Sequence, residues 1–186
     1  MSDLAQAPEP VSLPSRPSGF GWWLPALTVS ALYALDQATK LWTVQHVPLG
    51  EHLPILPGRF DWVHFSNTGA AFGVLQDSNK FFIGISLVAF VGLLWAMARR
   101  IFPGRLNYAA LLLLLSGILG NVTDRLVHGY VVDFLLFDLG FPPANPWPAF
   151  NVADSCICVA VVLLLLASLL EEMERRRTLG RVGEGR

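Results

Sequence analysis

The feature that most limits the fold of this chain is a set of four apolar segments, at residues 22–44, 81–98, 106–124 and 153–170. Each is near the ~17–20 residues that an α-helix needs to cross a bilayer. The 186 residues are 53% hydrophobic and only 15% charged, whereas a soluble domain usually carries about 25% charged residues. The segments therefore predict an α-helical integral membrane protein with four transmembrane helices. The first segment is interpreted as a retained helix, because its lead-in is Pro-rich and lacks a clear small-x-small cleavage site.

Basic residues predict how these segments are oriented, because cytoplasmic loops are enriched in Lys and Arg. They occur before the first segment, between the second and third, and after the fourth: Arg16; Arg99, Arg100 and Arg105; Arg175, Arg176, Arg177 and Arg181. With four spans these three regions share one side, predicted to be the cytoplasm. We therefore expect a disordered cytoplasmic tail at 1–20, a membrane domain at 21–172 and a basic cytoplasmic tail at 173–186. Connections 45–80 and 125–152 then lie at the outer face.

The connection before the second segment has the pattern of a short strand followed by a turn. Residues 60–65, FDWVHF, alternate apolar and polar side chains, as a half-buried strand does. The small residues of SNTGAAFG, which include Gly69, let another backbone approach closely. This pattern predicts a small extracytoplasmic β-cradle that could hold an extended peptide by main-chain hydrogen bonds. The alternative is an ordinary amphipathic loop on the membrane surface.

Two polar motifs lie near the outer ends of the apolar segments. In DQATK, Asp36 and Lys40 are four residues apart, so they share a helix face and can pair, which lowers the cost of burying either charge. In GNVTDR, Asn121 and Asp124 share a face, and Arg125 is expected to compensate carboxylate charge. Asp124 is interpreted as scaffolding, because a carboxylate near a fixed cation is a poor acid. Adjacent residues do not face each other on a helix, so Arg125 can instead serve another aspartate.

Asp133 and Asp154 are the candidate catalytic pair, and both are expected, like Asp124, at the margins of apolar helices. Asp133 lies among apolar residues in GYVVDFLLF, where desolvation is expected to raise the pKa of its carboxyl. Asp154 follows Asn151, a good N-cap residue, and would lie in a first helical turn that favours the ionised form. Two such carboxyls can divide acid and base roles and activate water. The alternative is two unrelated carboxylates at the membrane surface.

Other chemistries have weaker support in the sequence. Cys156 and Cys158 are two residues apart and point in different directions on a helix, so they are interpreted as small core residues. There is no HExxH motif and no Gly-rich phosphate loop, and the four histidines are scattered, so the sequence offers no pattern for a metal site or a phosphate-binding loop. The net charge of −1 argues against a nucleic-acid-binding surface.

The motifs DQATK, NTGAAFG, GNVTDRL, GYVVDF and FNVADS follow one another over about residues 36–155. In this order they resemble the lipoprotein signal peptidases (signal peptidase II). The resemblance implies a cofactor-free aspartic endopeptidase of the bacterial inner membrane, with its active site near the outer face. Its expected partners are prolipoproteins, cut just before a cysteine that carries a diacylglyceryl group, and membrane lipids. We expect the enzyme to be monomeric.

The same resemblance implies roles for individual residues. Asp133 and Asp154 match the family's catalytic aspartates. The remaining site residues are expected to orient the substrate, stabilise charge or support the site, and they are Asn67, Gly69, Asn121, Asp124, Arg125, Asn151, Asp36 and Lys40. The Pro-rich stretch 135–153, with its extra Asp138, departs from the family pattern and is expected to form a loop or helix over the site.

Two other functions agree with parts of the sequence. A small proton-coupled transporter also needs carboxylates in the membrane, but it would place polar residues at mid-helix on several spans, and segment 81–98 has none. A non-catalytic assembly factor would bind a prolipoprotein in the cradle without turning it over. Only the family resemblance separates that alternative from an enzyme.

Overall fold

The computed structural model describes residues 23–69, 78–142 and 145–184, which form helices and one small sheet. In chain order the elements are α1 (Trp23–His46), β1 (His52–Leu56), β2 (Phe60–Asn67), α2 (Asn79–Arg99), α3 (Arg105–Val127), β3 (Val131–Phe137) and α4 (Val152–Glu184). This mostly helical architecture with a small sheet agrees with the prediction from sequence. The predicted tail at 1–20 and the turn residues 70–73 lie outside the described residues.

Helix α3 lies at the centre of the helical part, and α1, α2 and α4 each pack against it. In the described part of the chain, three helices are long and apolar enough to cross a membrane: α2, α3 and residues 152–179 of α4. Helix α2 leaves apolar side chains such as Val88 and Val91 exposed, as a lipid-facing helix does. Helix α1 has 24 residues but buries Asp36 and Lys40, and it is not among the three.

Two glycines allow α3 to approach its neighbours closely. A Cβ atom on Gly117 would lie 2.5 Å from the carbonyl oxygen of Ala153 and 2.6 Å from Cγ1 of Ile157. A Cβ atom on Gly120 would overlap the carboxylate of Asp36 and lie 3.0 Å from the Cβ of Ala153. Small residues at these positions therefore bring the start of α4 and the polar face of α1 against α3.

Helix α4 continues beyond the apolar segment 153–170 and is 33 residues long. At 1.5 Å per residue this corresponds to roughly 50 Å, more than the ~30 Å of a hydrocarbon layer. In the exposed part, Arg175 Nε and Arg176 Nε donate to Glu172 at 3.1 Å and 2.6 Å. Such pairs at i,i+3 and i,i+4 favour helix in a polar segment.

The three strands form an antiparallel sheet in the order β1-β2-β3. Strand β2 contains the predicted stretch 60–65, whereas β1 and β3 were not predicted. Asp133 lies in β3 opposite Phe65 of β2, so the expectation that it lies at the margin of a helix is wrong. Strand β3 is buried over most of its length, and strands buried on both faces read as continuous apolar runs without alternation.

One tryptophan fastens the sheet to α1. Trp62 Nε1 donates a 2.8 Å hydrogen bond to Oγ1 of the fully buried Thr43. The Trp62 ring stacks on Phe134 with ring centroids 4.8 Å apart. Because Phe134 follows Asp133 directly, this contact holds the strand of the candidate catalytic residue against the helices.

The chain returns from β3 to α4 through residues 138–150. The Asp138 N–H donates to the Arg59 carbonyl at 2.9 Å, and the Trp147 N–H donates to the Phe137 carbonyl at 2.7 Å. Phe150 pairs with Leu135 and so leads the chain back along β3. The described residues of this segment contain no helix, so the alternative of a helix over the site is wrong. Their backbone groups are bonded to β3 and to the β1–β2 turn instead.

Candidate active site

Asp133 is held in β3 by two asparagine side chains. Its Oδ1 accepts a hydrogen bond from Asn151 Nδ2 at 2.8 Å, and its Oδ2 accepts one from Asn67 Nδ2 at 3.0 Å. The residue is only 3% exposed. Burial raises the pKa of the Asp133 carboxyl to about 7, and the nearby Asp154 carboxylate acts in the same direction. The two asparagine hydrogen bonds and the charge of Lys40 lower that pKa, but burial outweighs them.

Asp154 lies in the first turn of α4, as predicted from the N-cap pattern. The Asp154 N–H donates to Asn151 Oδ1 at 2.8 Å, and the Asn151 N–H donates back to Asp154 Oδ2 at 3.3 Å. This reciprocal arrangement is a capping box with an aspartate at its third position. The other carboxylate oxygen, Oδ1, accepts from Asn121 Nδ2 at 2.8 Å. The cap therefore sets the position of Asp154 at the start of α4.

Three asparagines together occupy all four oxygens of the two carboxylates. Asn67 comes from the end of β2, Asn121 from α3 and Asn151 from the residue before α4. Asn151 is fully buried and bonds both aspartates. Its Nδ2 also lies 3.3 Å from Asn121 Oδ1. From the sequence, these asparagines were expected to orient the substrate or stabilise charge. In the structure, their side-chain N–H groups donate to the two aspartates.

A buried charged cluster, formed by Asp36, Lys40 and Asp124 and called here the Lys40 cluster, lies next to the pair. Lys40 Nζ is 2.9 Å from Asp36 Oδ2 and 2.9 Å from Asp124 Oδ2. The predicted pairing of Asp36 with Lys40 is confirmed. The expectation that Asp124 is scaffolding agrees with its burial and contacts, but its cation is Lys40 and not Arg125. The reason is geometric, because neighbouring residues on α3 point in different directions.

Arg125 bonds backbone carbonyl groups. Its Nη2 donates to the Gly69 carbonyl at 3.2 Å and its Nη1 to the Asn121 carbonyl at 3.4 Å. The guanidinium also lies 5.0 Å from the centroid of the Phe82 ring, a distance that allows a cation–π contact. Among the described residues no carboxylate forms an ion pair with it, and its buried Nε has no hydrogen-bond partner there. Its charge still acts on Asp154 and Asp133, so it contributes to the field of the site at longer range.

One contributor to the site was missed from the sequence. Gln37 Nε2 donates to Asp36 Oδ2 at 3.2 Å, to Asp124 Oδ1 at 3.1 Å and to the Gly120 carbonyl at 3.3 Å. It therefore links α1 to α3 beside the Lys40 cluster. A signal was present, because Gln37 is three residues before Lys40 and so lies on the same face of an apolar helix.

The arrangement is suited to activating a water molecule between two carboxyls. One carboxyl that holds a proton near neutral pH can donate it, while an ionised partner takes a proton from water. Because the two groups interact, the proton belongs to the pair and not to either residue alone. The side chains that bond the pair directly are the amides of Asn67, Asn121 and Asn151, which do not titrate, so the two carboxyls are the groups able to exchange protons.

Comparison with known proteins places this geometry in context. Residues 28–170 match the family described as Signal peptidase (SPase) II. The lipoprotein signal peptidase of Psychromonas ingrahamii is 39% identical over 163 residues, which cover 85% of this chain and 90% of that protein. The lipoprotein signal peptidase of Streptococcus pyogenes serotype M1 is 38% identical over 146 residues, covering 78% and 93%.

Two solved structures, both titled as a bacterial membrane enzyme determined by the in meso method, have the same fold. One superposes with a TM-score of 0.75 at 27% identity, covering 82% of this chain and 92% of that one. The other has a TM-score of 0.71 at 27% identity, covering 81% and 95%. The likeness therefore extends over nearly the whole of each solved structure.

Proposed function

The chain belongs to the signal peptidase II family, a family of aspartic peptidases that remove signal peptides from prolipoproteins, and from this premise we propose that Asp133 and Asp154 are its catalytic pair. The enzyme is a membrane protein that hydrolyses a peptide bond. The proposed cleavage site is the bond just before a cysteine that carries a diacylglyceryl group. One observation carries the proposal: the two aspartates come from β3 and α4, and asparagines bond all four of their oxygens.

The proposed reaction begins with a water molecule held between the two carboxyls. In this scheme Asp154 is the ionised member of the pair, and it takes a proton from this water. Asp133 keeps its proton near neutral pH, because burial raises the pKa of its carboxyl to about 7, and it donates a hydrogen bond to the scissile carbonyl oxygen. The water oxygen attacks the carbonyl carbon. A carboxyl then protonates the departing amine of the lipidated cysteine, so that the pair returns to a single shared proton.

The asparagines act in this scheme by fixing the carboxyls. A catalytic group must be held close to its productive geometry, because a shift of about 1 Å can cost a hundredfold in rate. Amide donors suit this purpose, since they hold a carboxylate without introducing a full positive charge that would keep it ionised. Asn67, Asn121 and Asn151 are therefore proposed to orient the pair.

Arg125 and Gly69 are proposed to hold the peptide side of the substrate site. Arg125 already bonds the Gly69 carbonyl and so ties α3 to the turn that follows β2. The acyl chains of the cysteine are proposed to remain in the bilayer between the helices, where they supply affinity and register.

The proposed membrane arrangement has four spans: α2, α3 and α4, together with α1. The pairing of Asp36 with Lys40 offsets much of the cost of placing their charges in an apolar layer. The candidate catalytic pair lies near the C-terminal end of α3, whereas Arg105 begins that helix. A helix of 23 residues is about 34 Å long. The end of α3 that begins with Arg105 and the end next to the catalytic pair are therefore separated by roughly the thickness of a bilayer. This separation supports cytoplasmic termini and an active site near the outer face.

The experiment that tests the proposal is cleavage of a diacylglyceryl-cysteine prolipoprotein peptide by the purified chain in detergent. Wild type is compared with Asp133→Asn and Asp154→Asn, and an unlipidated peptide tests the requirement for lipid. Asp138→Asn is the matched control, because Asp138 bonds the N–H of Gly140 in an exposed turn. We expect wild type and Asp138→Asn to cleave only the lipidated peptide. Both variants of the catalytic pair should fold but be inactive. Near-normal turnover by Asp133→Asn or Asp154→Asn would refute the assignment of these residues as the catalytic pair. Binding without cleavage by folded wild type would favour the assembly-factor alternative.

A further inference from the structure

The two carboxylates of the Lys40 cluster make equivalent contacts next to the two proposed catalytic residues. Asp124 Oδ2 accepts a 3.0 Å hydrogen bond from the backbone N–H of Val132, the residue directly before Asp133. Asp36 Oδ1 accepts a 2.8 Å hydrogen bond from the backbone N–H of Ala153, the residue directly before Asp154. Each cluster carboxylate therefore holds the backbone one residue ahead of one member of the pair.

Lys40 joins these two contacts into one unit. Its Nζ is 2.9 Å from both carboxylates and 3.1 Å from Asn121 Oδ1. An ammonium group has three N–H donors, and these three partners use all of them. The side chain is 3% exposed, so water does not compete for its donors.

The third contact of Lys40 reaches the pair through an amide. Because Lys40 bonds Asn121 Oδ1, the Nδ2 of that amide is turned towards Asp154 Oδ1, at 2.8 Å. The amide has one acceptor end and one donor end, so fixing the oxygen fixes the direction of the nitrogen. Lys40 thus sets an amide orientation that Asp154 depends on.

We propose that Lys40 is a positioning residue for the reaction: through Asp36, Asp124 and Asn121 it fixes the spacing of Asp133 and Asp154. The inference rests on the proposed catalytic pair and gives the Lys40 cluster a role in turnover. The geometry joins α1, α3, β3 and the start of α4, the elements whose relative placement determines the distance between the two carboxyls.

The competing explanation is that Lys40 only neutralises two buried carboxylates. Without it, Asp36 and Asp124 would be buried close together as like charges, which is unfavourable for the fold whatever the reaction requires. A variant that repairs the charge but not the bridge separates the two explanations. Lys40→Met with Asp36→Asn is such a variant, because the methionine cannot bridge, the asparagine oxygen can still accept the Ala153 N–H, and the net charge of the cluster stays at −1 (−2 + 1 before, −1 after).

The experiment measures kcat, KM and the thermal midpoint for Lys40→Met, for the double variant and for a control, with the lipidated peptide in detergent. Asn107→Ala is the control. Asn107 is buried and polar, as Lys40 is, but it lies near the start of α3, far from the pair, and bonds Glu171 and Pro103 there. We expect Lys40→Met to lose thermal stability and the double variant to regain part of it, because the repulsion between Asp36 and Asp124 is removed while Asp124 still lacks its cation. In both, kcat should fall up to about a hundredfold with KM little changed, as for a misplaced catalytic group. Asn107→Ala should lower the thermal midpoint and leave kcat unchanged.

Recovery of kcat to within about threefold of wild type in the double variant would overturn the proposal, because restored charge would then suffice. So would a loss that appears only in KM. If neither Lys40 variant folds while Asn107→Ala does, Lys40 belongs to folding and the positioning role is also rejected. Asp133→Asn, measured in the same assay, separates a failure of the proposed catalytic pair from a failure of the positioning role of Lys40. If it cleaves, the catalytic pair itself is wrong, and if it is inactive while the double variant is fully active, only the positioning role fails.

Discussion

Asn151 contributes to the fold and to the site through different atoms, and substitution can separate the two. Its side-chain oxygen caps α4 by accepting the Asp154 N–H, and its side-chain nitrogen donates to Asp133. Serine at this position keeps a good N-cap oxygen but is too short to reach Asp133. Alanine removes both contacts. Asn151→Ser should therefore damage the reaction more than the fold, whereas Asn151→Ala should damage both.

The expected sizes follow from the contacts that are lost. Removing an N-cap costs about 1 kcal/mol, and such a loss lowers the thermal midpoint of a chain of this length by roughly 2–4 °C. A hydrogen bond to a charged group contributes about 1.5–3 kcal/mol. If that contribution is expressed in the transition state, kcat of Asn151→Ser falls by about 10- to 150-fold, since about 1.36 kcal/mol corresponds to a factor of ten.

The assay compares kcat, its pH dependence and the thermal midpoint of wild type, Asn151→Ser and Asn151→Ala on the lipidated peptide. The hydrogen bond from Asn151 lowers the pKa of Asp133, so its loss should raise that pKa. The pH at which activity falls on the alkaline side should then move upward in both variants, because Asp133 keeps its proton to a higher pH. A serine variant with kcat within about threefold of wild type and no pH shift would refute the reasoning, and would assign Asn151 to capping alone.

Two further predictions concern packing and pH. Gly117→Ala should destabilise the protein by about 1–3 kcal/mol through overpacking, because the new Cβ meets the Ala153 carbonyl. Gly92→Ala is the control, since a Cβ atom at that position has no neighbour within 4 Å. Equal thermal midpoints of the two variants would contradict the close approach of α3 and α4. The folded state raises the pKa of Asp133 from 3.8 to about 7, so this group stabilises the fold most below about pH 4, and that contribution is lost as the pH rises towards 7. The thermal midpoint of wild type should accordingly fall relative to Asp133→Asn between about pH 4 and pH 7. A constant difference over that range would show that Asp133 keeps an ordinary pKa.

The parts of the site that could be predicted from the sequence are those determined by local spacing. The Asp36–Lys40 pair follows from i,i+4 geometry on one helix. The cap by Asn151 follows from a good capping residue before an apolar run. Both depend on residues within one helical turn, where the backbone alone determines which side chains meet.

The parts that could not be predicted depend on contacts between distant residues. Strand β3 is a short apolar run, and periodicity cannot tell such a run from a buried helix. Its pairing with β2, which places Asp133 opposite Phe65, joins segments 68 residues apart. The contact of Lys40 with Asp124 likewise joins α1 to α3. In the sequence Arg125 was the nearer cation, and only the packing of α1 against α3 shows which cation reaches the carboxylate.

The place of the buried ammonium explains how one site can contain a fixed cation and still exchange protons. Lys40 is one of two lysines in the chain, and it bonds Asp36 and Asp124 but neither member of the proposed catalytic pair. A direct bond to Asp154 or Asp133 would hold that carboxylate ionised and remove the shared proton that the mechanism needs. Asn121 lies between Lys40 and Asp154. At Asp133 the charge of Lys40 lowers the pKa, but burial has the larger effect and still raises it to about 7. The amide thus passes on the orientation set by Lys40, while the ammonium itself makes no direct bond to either carboxyl of the pair.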